Sequence, residues 1–393
     1  MPRRLSSLLC LLSCLSVGTS LGASTNPTAP VATIYVASNY GYPGHANRIV
    51  GYAADVSGKL TEVPGSPFPN SNVSSMAVNG KYLFASSNAN EGGSNIYSYL
   101  LGDNGSLKLV DTANVEKFPD STCAQPGALL LDHTGTTLYA FTYNADCSGT
   151  DDGYQSLRIS KTTGSLNYLS ETLPNQNTLY PLSFIGNNLY AYEASCISDF
   201  DSIESYKRES NGSLVQVSIN APLPRAPEDE LYCPWYATAD RTNHLAMDMA
   251  PVVSPGYPVP AGGTGNDQIA SYTVDKSNGN LMTTSTEKDM PHTAVIRVRT
   301  MSMAPSGKLL AVGGTHGLQI FHFNGGDPLT LDTGLLTKDA INQIFWDNDN
   351  HLYAIGTTAG KLFVFTVTPT SATQAPGSPY TITQPNSLIV QPK

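Results

Sequence analysis

One phrase recurs seven times along the chain at intervals of roughly 40 to 65 residues. Its first half is a small-residue or Gly turn followed by a short apolar strand. The copies are Ile34-Tyr35-Val36, Leu83-Phe84-Ala85, Leu138-Tyr139-Ala140, Leu189-Tyr190-Ala191, Leu245-Ala246-Met247, Leu310-Ala311-Val312 and Leu352-Tyr353-Ala354. Its second half is a strand ending in Tyr or Phe, a polar turn with Gly, and a Leu that opens the next strand. Here the copies are Ser57-Gly58-Lys59-Leu60, Asn104-Gly105-Ser106-Leu107, Thr163-Gly164-Ser165-Leu166, Asn211-Gly212-Ser213-Leu214 and Asn278-Gly279-Asn280-Leu281. Such pairs tolerate the positive φ that tight hairpins require. The sixth unit carries a looser version, Asn324-Gly325-Gly326, and the seventh lacks it. Two hairpins per unit make four antiparallel strands, and seven such units predict an all-β, seven-bladed propeller.

The chain ends predict how the ring closes. Gln384 to Val390 reads like the innermost strand of a further unit without its hairpin partner, whereas the first copy starts without an innermost strand of its own. The C-terminal strand is therefore expected to complete blade 1 and remove exposed sheet edges. No linker interrupts the repeat, so residues 34–393 form one body.

Residues 1–23 have the pattern of a signal peptide. Arg3 and Arg4 form a basic start, Leu5 to Leu15 is an apolar run too short for a stable span, and Ser20, Gly22 and Ala23 are small. An extracytoplasmic protein, periplasmic or secreted, is expected. Leu11-Leu12-Ser13-Cys14 loosely resembles a lipobox and offers a lipid anchor through Cys14 as the alternative. Residues 24–33 read as a disordered lead-in. Loss of the two arginines takes the formal charge from −10 to −12, and charged residues are only 13% of the chain. An acidic surface repels phosphate backbones, which excludes nucleic acid as a partner class. No later segment has the length and apolarity of a transmembrane helix, and a monomer is expected.

Four cysteines follow the leader. In a four-stranded blade the first strand starts and the second strand ends at the same face. Cys123 and Cys233 precede first strands, and Cys147 and Cys196 follow second strands. Disulfides Cys123 with Cys147 and Cys196 with Cys233 are predicted rather than a zinc site. The same register sends His133, His244 and His351 to solvated turns on the opposite face and leaves His322 inside a strand as a structural residue. His45, His292 and His316 fall on the cysteine-bearing face.

That face also collects Tyr40, Tyr42, Arg48, Glu193, Arg297 and Arg299. Glu193 directly follows the strand Leu189 to Tyr192, and Arg299 stands just before the innermost strand of blade 6. A carboxylate and a guanidinium converging on the funnel suit an anionic or polyhydroxy ligand. Tyr42, Tyr232, Trp235 and Tyr236 offer ring faces for sugars. No Gly-x-Ser-x-Gly elbow, His-Glu-x-x-His motif or phosphate loop occurs. No metal or cofactor is expected, although Asp199-Phe200-Asp201 raises a calcium reading without the spacing of a calcium loop. Two Trp residues and no repeated Trp-Asp pairing argue against a WD40 array.

The phrases Tyr35-Val36-Ala37-Ser38-Asn39, Leu60-Thr61-Glu62-Val63-Pro64-Gly65-Ser66-Pro67-Phe68 and Ala375-Pro376-Gly377-Ser378-Pro379-Tyr380 resemble the seven-bladed propeller lactonases. That family includes 6-phosphogluconolactonase-like and muconate cycloisomerase-like proteins, and the resemblance is to its exported bacterial members. It implies hydrolysis of a sugar-type or other small lactone, or lactone formation, at the central funnel. By position, Glu193 matches the family's Glu and Arg299 its Arg. The mouth of blade 3, Pro126-Gly127-Ala128, has neither Arg nor His, and Thr315-His316 stands where an Asn-Arg pair is common. The expected catalytic set is Glu193, Arg299, His316 and His292: a base activates water and Arg299 stabilises the oxyanion. Arg297, His45, Arg48, Tyr42 and Trp235 are the expected substrate contacts. The alternative is a noncatalytic extracytoplasmic propeller binding a saccharide or envelope protein.

Overall fold

The computed structural model describes residues 29–38, 47–69, 73–87, 94–118, 125–143, 153–173, 182–197, 200–226, 230–253, 266–348 and 350–393, the side chains of 143, 195–197, 200–202, 230 and 253 excepted. Seven antiparallel sheets follow one another along the chain. Blade 2 shows the common order, with Val73–Val78 innermost, then Tyr82–Ser87, Asn95–Leu101 and Leu107–Asn114. Blade 1 takes its innermost strand from the C-terminus: Pro385–Pro392 pairs with Ala32–Ser38, Ala32 opposite Pro392 and Val36 opposite Leu388. The closure expected from the sequence is present.

The second strands of blades 1, 2, 6 and 7 are buried at every position. A blade is covered by a neighbour on each face, so these strands read as continuous apolar runs rather than as alternating ones. The described core divides into seven clusters, one at each blade junction. Ile34, Val36, Tyr353, Val364 and Leu388 fill the seam between blades 7 and 1, and Ala246, Val298, Leu310 and Phe321 fill the junction of blades 5 and 6.

The recurrent Tyr and the recurrent Gly turn meet across these junctions. The hydroxyl of Tyr35 donates to the Gly105 carbonyl of the next blade at 2.8 Å, Tyr139 to Gly212 at 2.8 Å and Tyr192 to Gly279 at 2.7 Å. Gly279 has φ +81°, and a Cβ there would lie 2.7 Å from the Tyr190 ring, so both conformation and space exclude a side chain. The innermost strands are also laced together. Asn386 donates to Val73 O at 2.6 Å, the Leu129 amide to Ser75 Oγ at 3.0 Å, Ser183 to Ala237 O at 2.8 Å, and Trp346 Nε1 to Ser302 O at 3.0 Å.

One expectation is corrected on the face opposite the funnel. His351 is not a solvated turn residue: it is 2% exposed, with Nδ1 2.6 Å from Asp347 Oδ2. The Gly58 hairpin of blade 1 closes over it, with a Gly58 Cβ position 2.8 Å from its Cδ2. His322, inside Gly317–Asn324, pairs with Asp332 at 2.9 Å.

Candidate functional site at the junction of blades 5 and 6

Two neighbouring innermost strands carry bulges, Val298–Met303 of blade 6 at its funnel end and Glu230–Ala239 of blade 5 midway along its length. In blade 6, Val298 faces Gly314 and Thr300 faces Gly313, which leaves Arg299 as the extra residue, exposed to solvent. In blade 5, Pro234 faces Met249 and Ala237 faces Met247, so Trp235 and Tyr236 together oppose Asp248. Bulges re-aim side chains out of the regular alternation. The result is a shared electrostatic neighbourhood. Burial and then Asp248 push the Tyr236 hydroxyl up to about 12, while Arg299 and Arg297 pull it down.

The segment before Arg299 is tied to blade 5. Asp267 Oδ2 accepts the Val298 amide at 2.6 Å, the Asp267 amide donates to Ile296 O at 3.2 Å, and the Thr293 amide donates to Asp267 O at 2.8 Å. His316 N donates to Val295 O at 3.1 Å and Thr315 N to Arg297 O at 2.9 Å. The guanidinium of Arg297 lies 5.6 Å from the centre of the Trp235 ring, a cation–π distance.

Two carboxyl groups sit beneath these arginines. Asp248 is fully buried, and neither of its oxygens has a hydrogen-bond partner among the described residues. Burial first, and then the neighbouring Asp267, hold its carboxyl well above the usual carboxylate range, with Arg297 opposing. Asp267 is 3% exposed and is pushed up to about 6, again by burial first, while the Val298 amide and Arg297 lower it. Burial favours the neutral form of both carboxyl groups, and Arg297 favours the charged form of each.

The structure gathers Arg299, Arg297, His316, His292 and Trp235 in one quadrant. His292 bridges to Gln268, and His292 and His316 are both exposed. Glu193 has different neighbours. It is fully buried and accepts from the Tyr154 hydroxyl at 2.8 Å and the Tyr206 hydroxyl at 3.5 Å, joining blades 3 and 4. Arg48 opens the third strand of blade 1 opposite Ser38 and Pro69, half-buried. Tyr42, His45, Cys123, Cys147, Cys14 and Asp199, together with the side chains of Cys196 and Asp201, lie outside the described residues. Cys233 is buried and disulfide-bonded.

Sequence reasoning missed Asp248 and Asp267. The signal for Asp248 was a single carboxylate inside the apolar run Leu245-Ala246-Met247-Asp248-Met249. Asp267 carried none, being one polar residue before the strand Gln268–Val274. A concavity of about 300 Å³ lies on the opposite face between blades 1, 2 and 3. Its carboxylate, Asp132, is occupied by Arg208 at 2.8 Å. Among the described residues no three His, Cys, Asp or Glu side chains gather as a metal site would require, and no helix is long and apolar enough to cross a membrane.

The fold recurs in solved structures. The periplasmic gluconolactonase PpgL of Pseudomonas aeruginosa superposes with a TM-score of 0.64 at 14% identity, over 92% of this chain and 99% of that one. A candidate 6-phosphogluconolactonase of Bacteroides uniformis superposes with a TM-score of 0.62 at 14% identity, over 91% and 99%. A protein of Lactobacillus plantarum gives 0.63 at 14% identity, over the same shares. No known family profile matches the sequence, and no curated protein matches it. At this identity the likeness is one of fold.

Proposed function

We propose that this is a lactonase-like propeller that opens a small, sugar-type lactone at the funnel end of blades 5 and 6. One observation carries the reading: abutting bulges set the exposed Arg299 beside Tyr236 and Arg297, over buried carboxyl groups. A guanidinium aimed by a bulge can donate to the lactone carbonyl oxygen as it becomes an oxyanion. An exposed imidazole, His316 or His292, takes the proton as water adds to the carbonyl carbon. Collapse of the tetrahedral adduct breaks the ring C–O bond, the departing alkoxide takes a proton, and a hydroxy acid leaves. Arg297, stacked on Trp235, supplies a second positive charge for an anionic or polyhydroxy substrate. The occurrence of this fold in proteins named as lactonases supports the reading, and the basic, apolar leader supports an extracytoplasmic location.

A noncatalytic binding propeller is the second reading, and the position of Glu193 favours it. The carboxylate expected to complete the set is bonded to Tyr154 and Tyr206 instead. The deciding experiment follows acid release from a panel of aldonolactones and phosphorylated lactones, with Arg299→Ala in parallel. Turnover that disappears in the variant supports the lactonase. A folded protein with no turnover on any member moves the conclusion to the binding module.

A further inference from the structure

The segment between His292 and Arg299 contains the most strained backbone in the site. Ile296 has φ +69°, a left-handed conformation that a β-branched side chain adopts only under constraint. The Arg297 amide donates back to Val295 O at 3.0 Å, which makes Val295-Ile296-Arg297 a γ-turn of the rare positive-φ kind. The Ile296 side chain is 41% exposed, so apolar packing does not hold it there. Strain of this type persists only where the surroundings over-determine it.

Blade 6 holds the segment through Gln319, Thr315 and His316, with the Ala294 amide donating to Gln319 Oε1 at 2.9 Å and the His316 amide to Val295 O at 3.1 Å, and blade 5 holds it through Asp267. Asp267 engages the segment three times: the Val298 amide by its side chain, and the Ile296 carbonyl and Thr293 amide by its backbone. We propose that Asp267 is a positioning residue, whose buried carboxylate holds residues 293–298 in the strained turn that stacks Arg297 on Trp235 and delivers Arg299 to the funnel. This deepens the lactonase reading and rests on it only for what the arginines do once placed. The turn is the part of the site a proton can loosen, because a neutral Asp267 forfeits its charge-assisted bond to the Val298 amide and its attraction to Arg297. Among the described residues, Asp248 and Tyr236 of blade 5 and Arg297 of the segment interact electrostatically with Asp267, and His292, Arg299 and His316 stand nearby on the segment and the adjoining strand exit.

The test reads the turn rather than turnover. The chain has two Trp residues, so 5-fluorotryptophan labelling gives two ¹⁹F signals, and the signal lost in Trp235→Phe is the one beside Arg297. The Trp235 signal is expected to move with a midpoint near pH 6 while that of Trp346 stays still. Asp267→Asn should abolish the transition. His292→Gln, His316→Gln and Arg299→Ala should retain it, the last even if it removes all turnover. At pH 7, Asp267→Ala should displace the Trp235 signal, and adding Ile296→Gly, which accepts the turn without strain, should restore its position. A transition that survives Asp267→Asn, or one that vanishes with either histidine, overturns the proposal whatever the activity assay gives. Loss of turnover in Arg299→Ala with no Trp235 transition in the native protein would separate a working lactonase from a failed clamp.

Discussion

Glu193 and Asp248 are both fully buried carboxyl groups on second strands of adjacent blades, yet their surroundings have opposite characters. Glu193 takes hydrogen bonds from two phenols and ties blade 3 to blade 4. Asp248 has no hydrogen-bond partner among the described residues, faces a bulge, and shares its space with Asp267 and Arg297. Buried polar groups are almost always hydrogen-bonded, so a buried carboxyl group without such a partner calls for an explanation that a bonded one does not. On the lactonase reading, Glu193 serves the scaffold and the blade 5 carboxyl groups serve the site, a division the variants below test.

The sharpest way to break that comparison is Arg299→Ala. Removing an exposed guanidinium should leave urea stability within ~0.5 kcal/mol. Loss of an oxyanion donor should lower kcat/KM about 100- to 1000-fold on any lactone the protein opens. A large stability loss with turnover intact would reverse the two roles.

Glu193→Ala should behave in the opposite way. It removes the acceptor of the buried Tyr154 hydroxyl and leaves a cavity, so unfolding by urea should come about 3 kcal/mol sooner. Glu193→Gln keeps an acceptor and should recover most of that loss. If the Ala variant were as stable as the native protein but inactive, Glu193 would belong to the chemistry after all.

Asp267→Asn tests the site side of the comparison by pH. The folded protein holds the Asp267 proton more tightly than the unfolded chain, because its pKa is raised from 3.8 to about 6. Its contribution to stability is therefore complete below pH 3.8 and is lost as pH rises to about 6. Relative to native protein, Asp267→Asn should gain up to ~3 kcal/mol across that window, since each pKa unit is worth ~1.4 kcal/mol. Thermal melts of the two proteins at pH 4 and pH 7 measure this. Asp240 runs the other way: despite its partial burial, bonds from Thr242 and His244 lower its pKa, so its stabilisation fades only in acid.

The smallest effects separate the two phenols. Tyr154→Phe removes a 2.8 Å bond and should cost ~1 kcal/mol, whereas Tyr206→Phe removes a 3.5 Å contact and should cost less than half of that. Equal losses would mean that Glu193 leans on both phenols alike.

Much of the fold was legible in the chain because it is repeated local chemistry. Gly105 and Gly279 have φ +83° and +81°, as their hairpin turns require, and the unpaired strand at 384–390 found its place in blade 1. His292, His316, Arg297 and Arg299 were assignable to one face because strand register alone decides which end of a blade a residue occupies. Register does not decide depth or company. It put His351 in a solvated turn, whereas His351 opens the strand His351–Gly356 and is buried under a hairpin from the opposite end of the chain. It put Glu193 and Arg299 on one face, yet neighbouring blades surround them with different partners.

The sequence by itself determined the blade number, the hairpin positions and the closing strand, because backbone conformation and apolar periodicity are written in consecutive residues. Only the tertiary structure decided that Arg297 stacks on Trp235, that Asp267 grips Val298, and that Asp248 lies beside both. The first two pairings cross from blade 5 to blade 6 over 62 and 31 residues of chain. They depend on bulges and on one strained turn, which shift side chains by less than a residue and leave the pattern of strands unchanged.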